Sequence, residues 1–230
     1  MKTNTFKSDL FNQFARVGKA LSNANRLELL EFLAQSPRSV EELSTLTCLS
    51  VANTSQHLQH LRQAGLVQSQ KQGLKVYYSI SGDDVVNLLD SLRNVAEKHI
   101  SDVDRLVNTY LTAKDNLDPV PAAELLAKAK QDLVTVLDVR PKEEYDNGHI
   151  RGAINIPIIE LEQHLEKFDS KHEIVAYCRG PHCILAFDAV AQLREKGFRA
   201  RRLEQGFPEW KISGLPIENS SSLTKLREKH

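Results

Sequence analysis

At Asp115-Asn116-Leu117-Asp118-Pro119 the spacing of apolar residues changes from one rule to another, and that change divides the chain in two. Before it, apolar residues recur at helical intervals. Phe14, Val17 and Leu21 form one set, Leu27, Leu30 and Leu33 a second, and a long stripe runs from Val85 through Leu88, Leu89, Leu92, Val95, Ile100, Val103 and Leu106 to Leu111. After it, short apolar runs at Leu133–Asp138, Ile174–Tyr177 and Ala200–Leu203 read as strands, separated by helical stretches at Ala122–Lys130, Ile159–Phe168 and Leu185–Lys196. Strands alternating with helices imply a parallel sheet covered on its faces. With 230 residues the chain has room for two domains of about 100 residues each. The expected boundaries are 1–111, a linker at 112–121, a second domain at 122–218 and a polar tail at 219–230.

Local signals sharpen the first part. Ser22-Asn23-Ala24-Asn25 supplies N-cap chemistry for a helix starting near Asn25, and Pro37 ends that helix. Ser39 with Glu42 three residues on is a capping-box pattern for a short helix to about Thr47. Ser50 can cap another helix through Gln63, stopped at Ala64-Gly65. Val67–Gln70 and Lys75–Ile80 then flank Lys71-Gln72-Gly73-Leu74 as a hairpin. Two short helices followed by a hairpin make a winged helix-turn-helix. Its second helix is expected to bury Val51, Thr54, Leu58 and Leu61, leaving Ala52, Asn53, Ser55, Gln56 and Gln59 outward for base edges and phosphates in a major groove. Lys71 and Lys75 on the hairpin would reach phosphates beside it. An exposed Gln- and Asn-rich helix with no nucleic-acid role fits the same pattern.

Charge adds little. Net charge is zero, but residues 1–80 hold nine Lys and Arg against five Asp and Glu, so +4 stands against −4 in the remainder. That permits a nucleic-acid face and equally fits a solvated surface. No apolar run approaches the roughly 18 residues of a membrane span, and the N-terminus lacks a signal-peptide pattern. Three cysteines, with no framework of pairs, suit a reducing compartment and thiol chemistry, so the cytoplasm is expected and no membrane.

The segment from Val17-Gly18-Lys19-Ala20-Leu21 through Arg26-Leu27 to Ser55-Gln56-His57-Leu58-Gln59-His60-Leu61-Arg62-Gln63-Ala64-Gly65-Leu66-Val67, ending in Tyr77-Tyr78, resembles the ArsR/SmtB family of dimeric repressors over about residues 10–110. The resemblance implies a homodimer built through terminal helices on a two-fold double-stranded DNA operator. The family's thiolate metal site falls where this chain has Ser39 and Glu41. Its other site needs spaced Asp and His residues on the long helix, where only Asp84, His99 and a few acids occur. No metal and no cofactor are therefore expected. Cys48, alone between two helices, reads as a small core residue, and His57 and His60 as surface or packing residues.

The richest chemistry lies in Val175-Ala176-Tyr177-Cys178-Arg179-Gly180-Pro181-His182-Cys183-Ile184. A cysteine at the carboxyl end of a parallel strand faces the usual ligand crevice of such sheets. The following loop, Arg179 to Ile184, offers backbone N–H groups and a helix N-terminus as an anion cradle, in which Arg179 adds charge and Gly180 lets the chain curl. A thiolate so stabilised can take sulfane sulfur as a persulfide. A buried structural thiol is the competing reading. Three further motifs resemble the rhodanese homology domain over about residues 118–218: Leu137-Asp138-Val139-Arg140-Pro141-Lys142-Glu143-Glu144-Tyr145, then Gly148-His149-Ile150-Arg151-Gly152-Ala153-Ile154-Asn155-Ile156-Pro157, and Gly206-Phe207-Pro208-Glu209-Trp210 with Gly214-Leu215-Pro216-Ile217.

That resemblance implies a sulfurtransferase acting on thiosulfate or polysulfide, with Cys178 as persulfide carrier, a sulfane-sulfur donor and a thiol or cyanide acceptor. Asp138, Arg140, Glu144 and His149 become architectural, and Trp210 core. The loop departs from the commoner pattern: Cys183 stands where a basic residue is frequent, and Ile184 where a small polar one follows. Cys183 either resolves a persulfide on Cys178 or fills space. The expected fold is thus a mainly α winged helix-turn-helix domain followed by an α/β rhodanese-like domain. Three functions follow from it: a DNA-binding regulator that responds to sulfur, a sulfurtransferase independent of DNA binding, or a rhodanese fold serving as a binding module.

Overall fold

The computed structural model describes residues 2–112, 114–169 and 171–219. Position 113 of the expected linker and all of the expected tail except Asn219 lie outside them. The chain divides into two compact units, one ending at Val86 and one beginning at Asn87. No helix among the described residues is long and apolar enough to cross a membrane.

In the N-terminal unit, α1 (Lys2–Leu21) is followed by α2 (Ala24–Gln35), whose start is fixed by Asn23: its side chain accepts the Arg26 N–H at 3.2 Å. The strand β1 (Arg38–Ser39) leads into α3 (Val40–Leu46) through a complete capping box. The Glu42 N–H donates to Ser39 Oγ at 3.3 Å, and the Ser39 N–H to Glu42 Oε2 at 2.7 Å. Ser50 caps α4 (Val51–Gln63), accepting from Asn53 N–H at 3.2 Å. That helix ends in a Schellman turn, with Leu66 N–H on Leu61 O, Gly65 N–H on Arg62 O, and Gly65 at φ +78°. The hairpin strands β2 (Val67–Gln72) and β3 (Lys75–Ile80) turn through Gly73-Leu74 and give the order β1-β3-β2. Leu29, Leu30, Leu43, Leu58 and Leu61 are fully buried, each burial contributing about 1.5–3 kcal/mol.

Three expectations for residues before Asp115 are corrected. Val51 is 49% exposed rather than buried. It is the first residue of α4, and its Cβ tilts back toward the open end of the helix. Cys48 is exposed, because it occupies the left-handed position just past α3 (φ +54°), where the chain turns away from the core. The segment that carries the apolar stripe from Val85 to Leu111 is not one continuous helix. It comprises α5 (Asp83–His99), α6 (Ser101–Val107) and a π turn (Asn108–Thr112). Ile100 adopts extended angles, and Ser101 with Asp102 and Asp104 restarts the helix with acids in its first turn, where the dipole favours them.

In the C-terminal unit, α7 (Ala122–Lys130), β4 (Val134–Asp138), α8 (Lys142–Asn147), β5 (His149–Ile150) and β6 (Ile154–Asn155) come first. A 3₁₀ segment (Ile158–Lys167), β7 (Glu173–Tyr177), α9 (Ile184–Glu195), β8 (Ala200–Arg202), α10 (Phe207–Ile212) and β9 (Ile217–Glu218) follow. The main sheet is parallel throughout, in the order β6-β4-β7-β8. In its central strand, Ile174 and Ala176 point to one buried face with Val190 and Leu193 of α9. Val175 and Tyr177 point to the other, with Leu125 of α7 and Trp210 of α10. Burial on both faces explains the unbroken apolar run in β7. The pairs made by β5 with β9 and by β6 with β4 were not foreseen, since two-residue strands carry no readable alternation.

Candidate functional site

Strand β7 delivers Cys178 to the carboxyl edge of the sheet, on the face shared by Ile174 and Ala176. The residue is 1% exposed. The chain then folds back on itself, with Cys183 N–H donating to Gly180 O at 3.1 Å, and α9 starts at Ile184. Cys183 sits at the cap position of α9 without a side-chain cap hydrogen bond. Its sulfur is joined to that of Cys178 in a disulfide, the Cα atoms 6.1 Å apart and within the range such a bridge requires. Arg179, Gly180, Pro181, His182 and Cys183 are half-buried, and Ile184 is exposed.

The loop is held from beneath by α10. The Phe207 N–H donates to Cys178 O at 3.0 Å. Gly206 lies so close that a Cβ there would overlap the Arg179 carbonyl and the Gly180 N and Cα, which explains the glycine directly. Arg179 does not turn toward the cradle. Its guanidinium forks onto the fully buried Glu144 at 2.8–3.1 Å. Asp138 and Arg140, both fully buried, pair at 2.6 Å, and Arg140 also donates to Gly148 O at 2.8 Å and stacks 4.3 Å above the Phe207 ring. Burial works against the Arg140 charge, yet Asp138 beside it holds its pKa above the ordinary value. His149 stacks on Tyr145, with Nδ1 2.9 Å from Tyr145 O. Ion pairs and hydrogen bonds thus tie the strand ends that flank the loop.

A third side of the loop is met by α5, which from Asn87 onward packs with this unit. Arg93 places Nη1 3.0 Å from Glu209 Oε1 and 3.3 Å from Asp90 Oδ1. Its Nη2 lies 3.7 Å from where a Cβ on Gly180 would stand. One turn further along α5, Glu97 Oε1 lies 3.5 Å from His182 Nε2. Burial lowers the His182 pKa; Glu97 opposes this, while Arg93 and Arg202 add to it. Sequence reasoning read this stretch of α5 only as an apolar stripe. The i, i+4 spacing of Arg93 and Glu97 was the available signal, but it carries no indication of what the two side chains meet.

The candidate nucleic-acid face lies on α4 and the hairpin. Ala52, Asn53, Gln56 and Gln59 are exposed and Ser55 is half-buried, opposite the buried Thr54, Leu58 and Leu61. Lys71 and Lys75 are both exposed. Their registers differ, Lys71 pairing with Val76 and Lys75 with Gln72, so the pleat sends them to opposite faces of the ribbon.

Residues 121–213 match the model of the rhodanese-like domain, and residues 23–69 that of the bacterial regulatory protein, arsR family. An HTH-type transcriptional regulator of Mycobacterium tuberculosis is 43% identical over 215 residues, covering 94% of this chain and 94% of that protein. A thiosulfate sulfurtransferase of Coxiella burnetii is 32% identical over 83 residues, 36% of this chain and 75% of that protein. Among solved structures, the homodimeric winged helix-turn-helix DNA-binding domain of a Mycobacterium bovis protein is 42% identical. The match covers 41% of this chain and 87% of that one, with a TM-score of 0.39.

Proposed function

Because the chain belongs to the ArsR family of helix-turn-helix transcriptional regulators and carries a rhodanese-like domain, we propose that its DNA binding is governed by sulfur taken up on Cys178. The observation that carries this reading is the pair Cys178–Cys183, on one loop at the carboxyl edge of the sheet, in the same chain as a winged helix. In the proposed chemistry the Cys178 thiolate attacks the outer sulfur of thiosulfate. The S–S bond breaks, sulfite leaves with the electron pair, and Cys178 holds a persulfide. The Cys183 thiol then attacks the inner sulfur, forming the Cys178–Cys183 disulfide and releasing hydrogen sulfide. Both thiols are oxidised and the sulfane sulfur is reduced, so no further oxidant enters. A reversible disulfide of this kind suits a cytoplasmic sensor.

On the DNA side, Asn53, Ser55, Gln56 and Gln59 address base edges, with Ala52 in close approach, while Lys71 and Lys75 take phosphates on either side of the hairpin. A second copy of the chain covers the exposed apolar residues Phe11 and Phe14 of α1 and Leu92 and Val95 of α5. The likeness to a thiosulfate sulfurtransferase favours a second reading, sulfur transfer to a thiol or cyanide that proceeds independently of DNA.

The test is intact mass of the protein after thiosulfate or polysulfide, beside Cys178→Ser and Cys183→Ser, followed by operator affinity of the same preparations. Retention of one added sulfur in Cys183→Ser and none in Cys178→Ser, with a sulfur-dependent change in operator affinity, is the expected result. Turnover with cyanide at unchanged operator affinity would favour the second reading. No adduct from any donor would leave a DNA-binding protein with a rhodanese fold used for binding alone.

A further inference from the structure

The loop that carries Cys178 holds little positive charge of its own. Its one arginine, Arg179, turns onto the buried Glu144, and Cys183 and Ile184 contribute no cation. A thiolate at Cys178 and an anionic sulfur donor both need one. One cation reaches the loop from α5: Arg93, paired with Glu209 and Asp90, has Nη2 3.7 Å from where a Cβ on Gly180, two residues from Cys178, would stand. Its side chain is 27% exposed, so the charge is reachable from solvent and is not sealed in the core.

We infer that Arg93 is a positioning residue for Cys178: set beside the loop by its pair with Glu209, it raises the positive potential there, which stabilises the thiolate and favours an anionic sulfur donor. The inference rests on the reading of Cys178 as a nucleophile. The other charges around the loop are Glu97 and Asp90 on α5, Arg179 and His182 within the loop, Glu144 on α8, Arg202 on β8 with Asp115, and Glu209 on α10. Within this set Arg93 and Glu97 carry opposite signs and lie on one face of α5, so removing either moves the local potential in opposite directions.

The test is the rate of Cys178 alkylation by iodoacetamide in the reduced full-length protein, followed by peptide mass across a pH series. In Arg93→Gln the profile moves to higher pH by about one pH unit, and the rate at pH 7 falls about tenfold. Arg93→Lys stays within about twofold of the unsubstituted protein. Glu97→Gln shifts the profile toward lower pH. The thiosulfate concentration needed for half-maximal persulfide formation rises in Arg93→Gln and recovers in Arg93→Lys. Coincident profiles for all four proteins would overturn the inference. So would equal slowing in the Gln and Lys variants, which would assign Arg93 to packing. If Cys178 acquires no sulfur while the alkylation shifts persist, the proposed function falls and the role of Arg93 stands. A sulfur adduct without those shifts has the reverse meaning.

Discussion

The two units differ in how deeply their candidate groups are buried. In the N-terminal unit the candidate groups are exposed polar side chains on α4, and the leucines beneath them do the holding. In the C-terminal unit the candidate residue, Cys178, is itself buried, and Asp138, Arg140 and Glu144, all fully buried, stand among the charged groups that hold the loop around it. Altering the first surface leaves the scaffold intact. In the second, scaffold and site share the same residues, so chemistry and stability change together.

The largest effect expected from this contrast is at Asp138. Asp138→Ala removes the carboxylate that pairs with the buried Arg140 at 2.6 Å and costs about 3–5 kcal/mol. Urea unfolding followed by Trp210 fluorescence reads it in the C-terminal unit, since Trp210 is the chain's single tryptophan. Helicity of the N-terminal unit should hold beyond that transition, and simultaneous loss of both would break the comparison. Gly206→Ala comes next. Its methyl meets the Arg179 carbonyl and Gly180 backbone, so the loop shifts at about 1–3 kcal/mol, with a parallel change in Cys178 alkylation.

Gln56→Ala sharpens the other side. It is expected to weaken operator discrimination by about 1–3 kcal/mol in a titration, while stability stays within about 0.5 kcal/mol. Ser39→Ala removes the capping box from α3 and destabilises the N-terminal unit by about 1 kcal/mol in thermal unfolding.

The smallest effect is a pH dependence found in both units. Burial, reinforced by Arg26 and His60, lowers the His57 pKa; burial likewise lowers that of His182. Each folded unit therefore binds fewer protons than its unfolded chain once pH falls below about 6.5. The stability due to the neutral imidazoles is complete above that value and declines as pH drops toward the lowered ones. Midpoints at pH 7.5 and 5.5 should differ less in His57→Gln for the N-terminal transition, and less in His182→Gln for the Trp210 transition.

What was legible in the sequence follows the same division. Caps are local, so Ser39 with Glu42 and Ser50 with Asn53 were readable from a few residues. The strands β4 and β7 were readable because burial on both faces forces apolar runs. The place of Cys178 at the end of one of those runs was readable in the same way. The reversal at Cys48 was not legible, because a non-glycine residue in the left-handed region gives no compositional sign. Nor was the break at Ile100, where the apolar stripe continues through a residue that leaves the helix. The Arg93–Glu209 pair spans 116 positions, and no periodicity connects them.

The bond between Cys178 and Cys183 joins the residue just after β7 to the cap position of α9, a helix with no side-chain cap hydrogen bond of its own. In polymer terms it is a ring closure over four intervening residues, and opening it returns configurational freedom to that short segment. The reduced loop therefore differs from the oxidised one in entropy as well as in chemistry. Amide exchange at Ile184, Leu185 and Ala186 should quicken on reduction while the sheet beneath keeps its protection. A signal carried as a change in mobility requires no displacement of the sheet on which the loop is mounted.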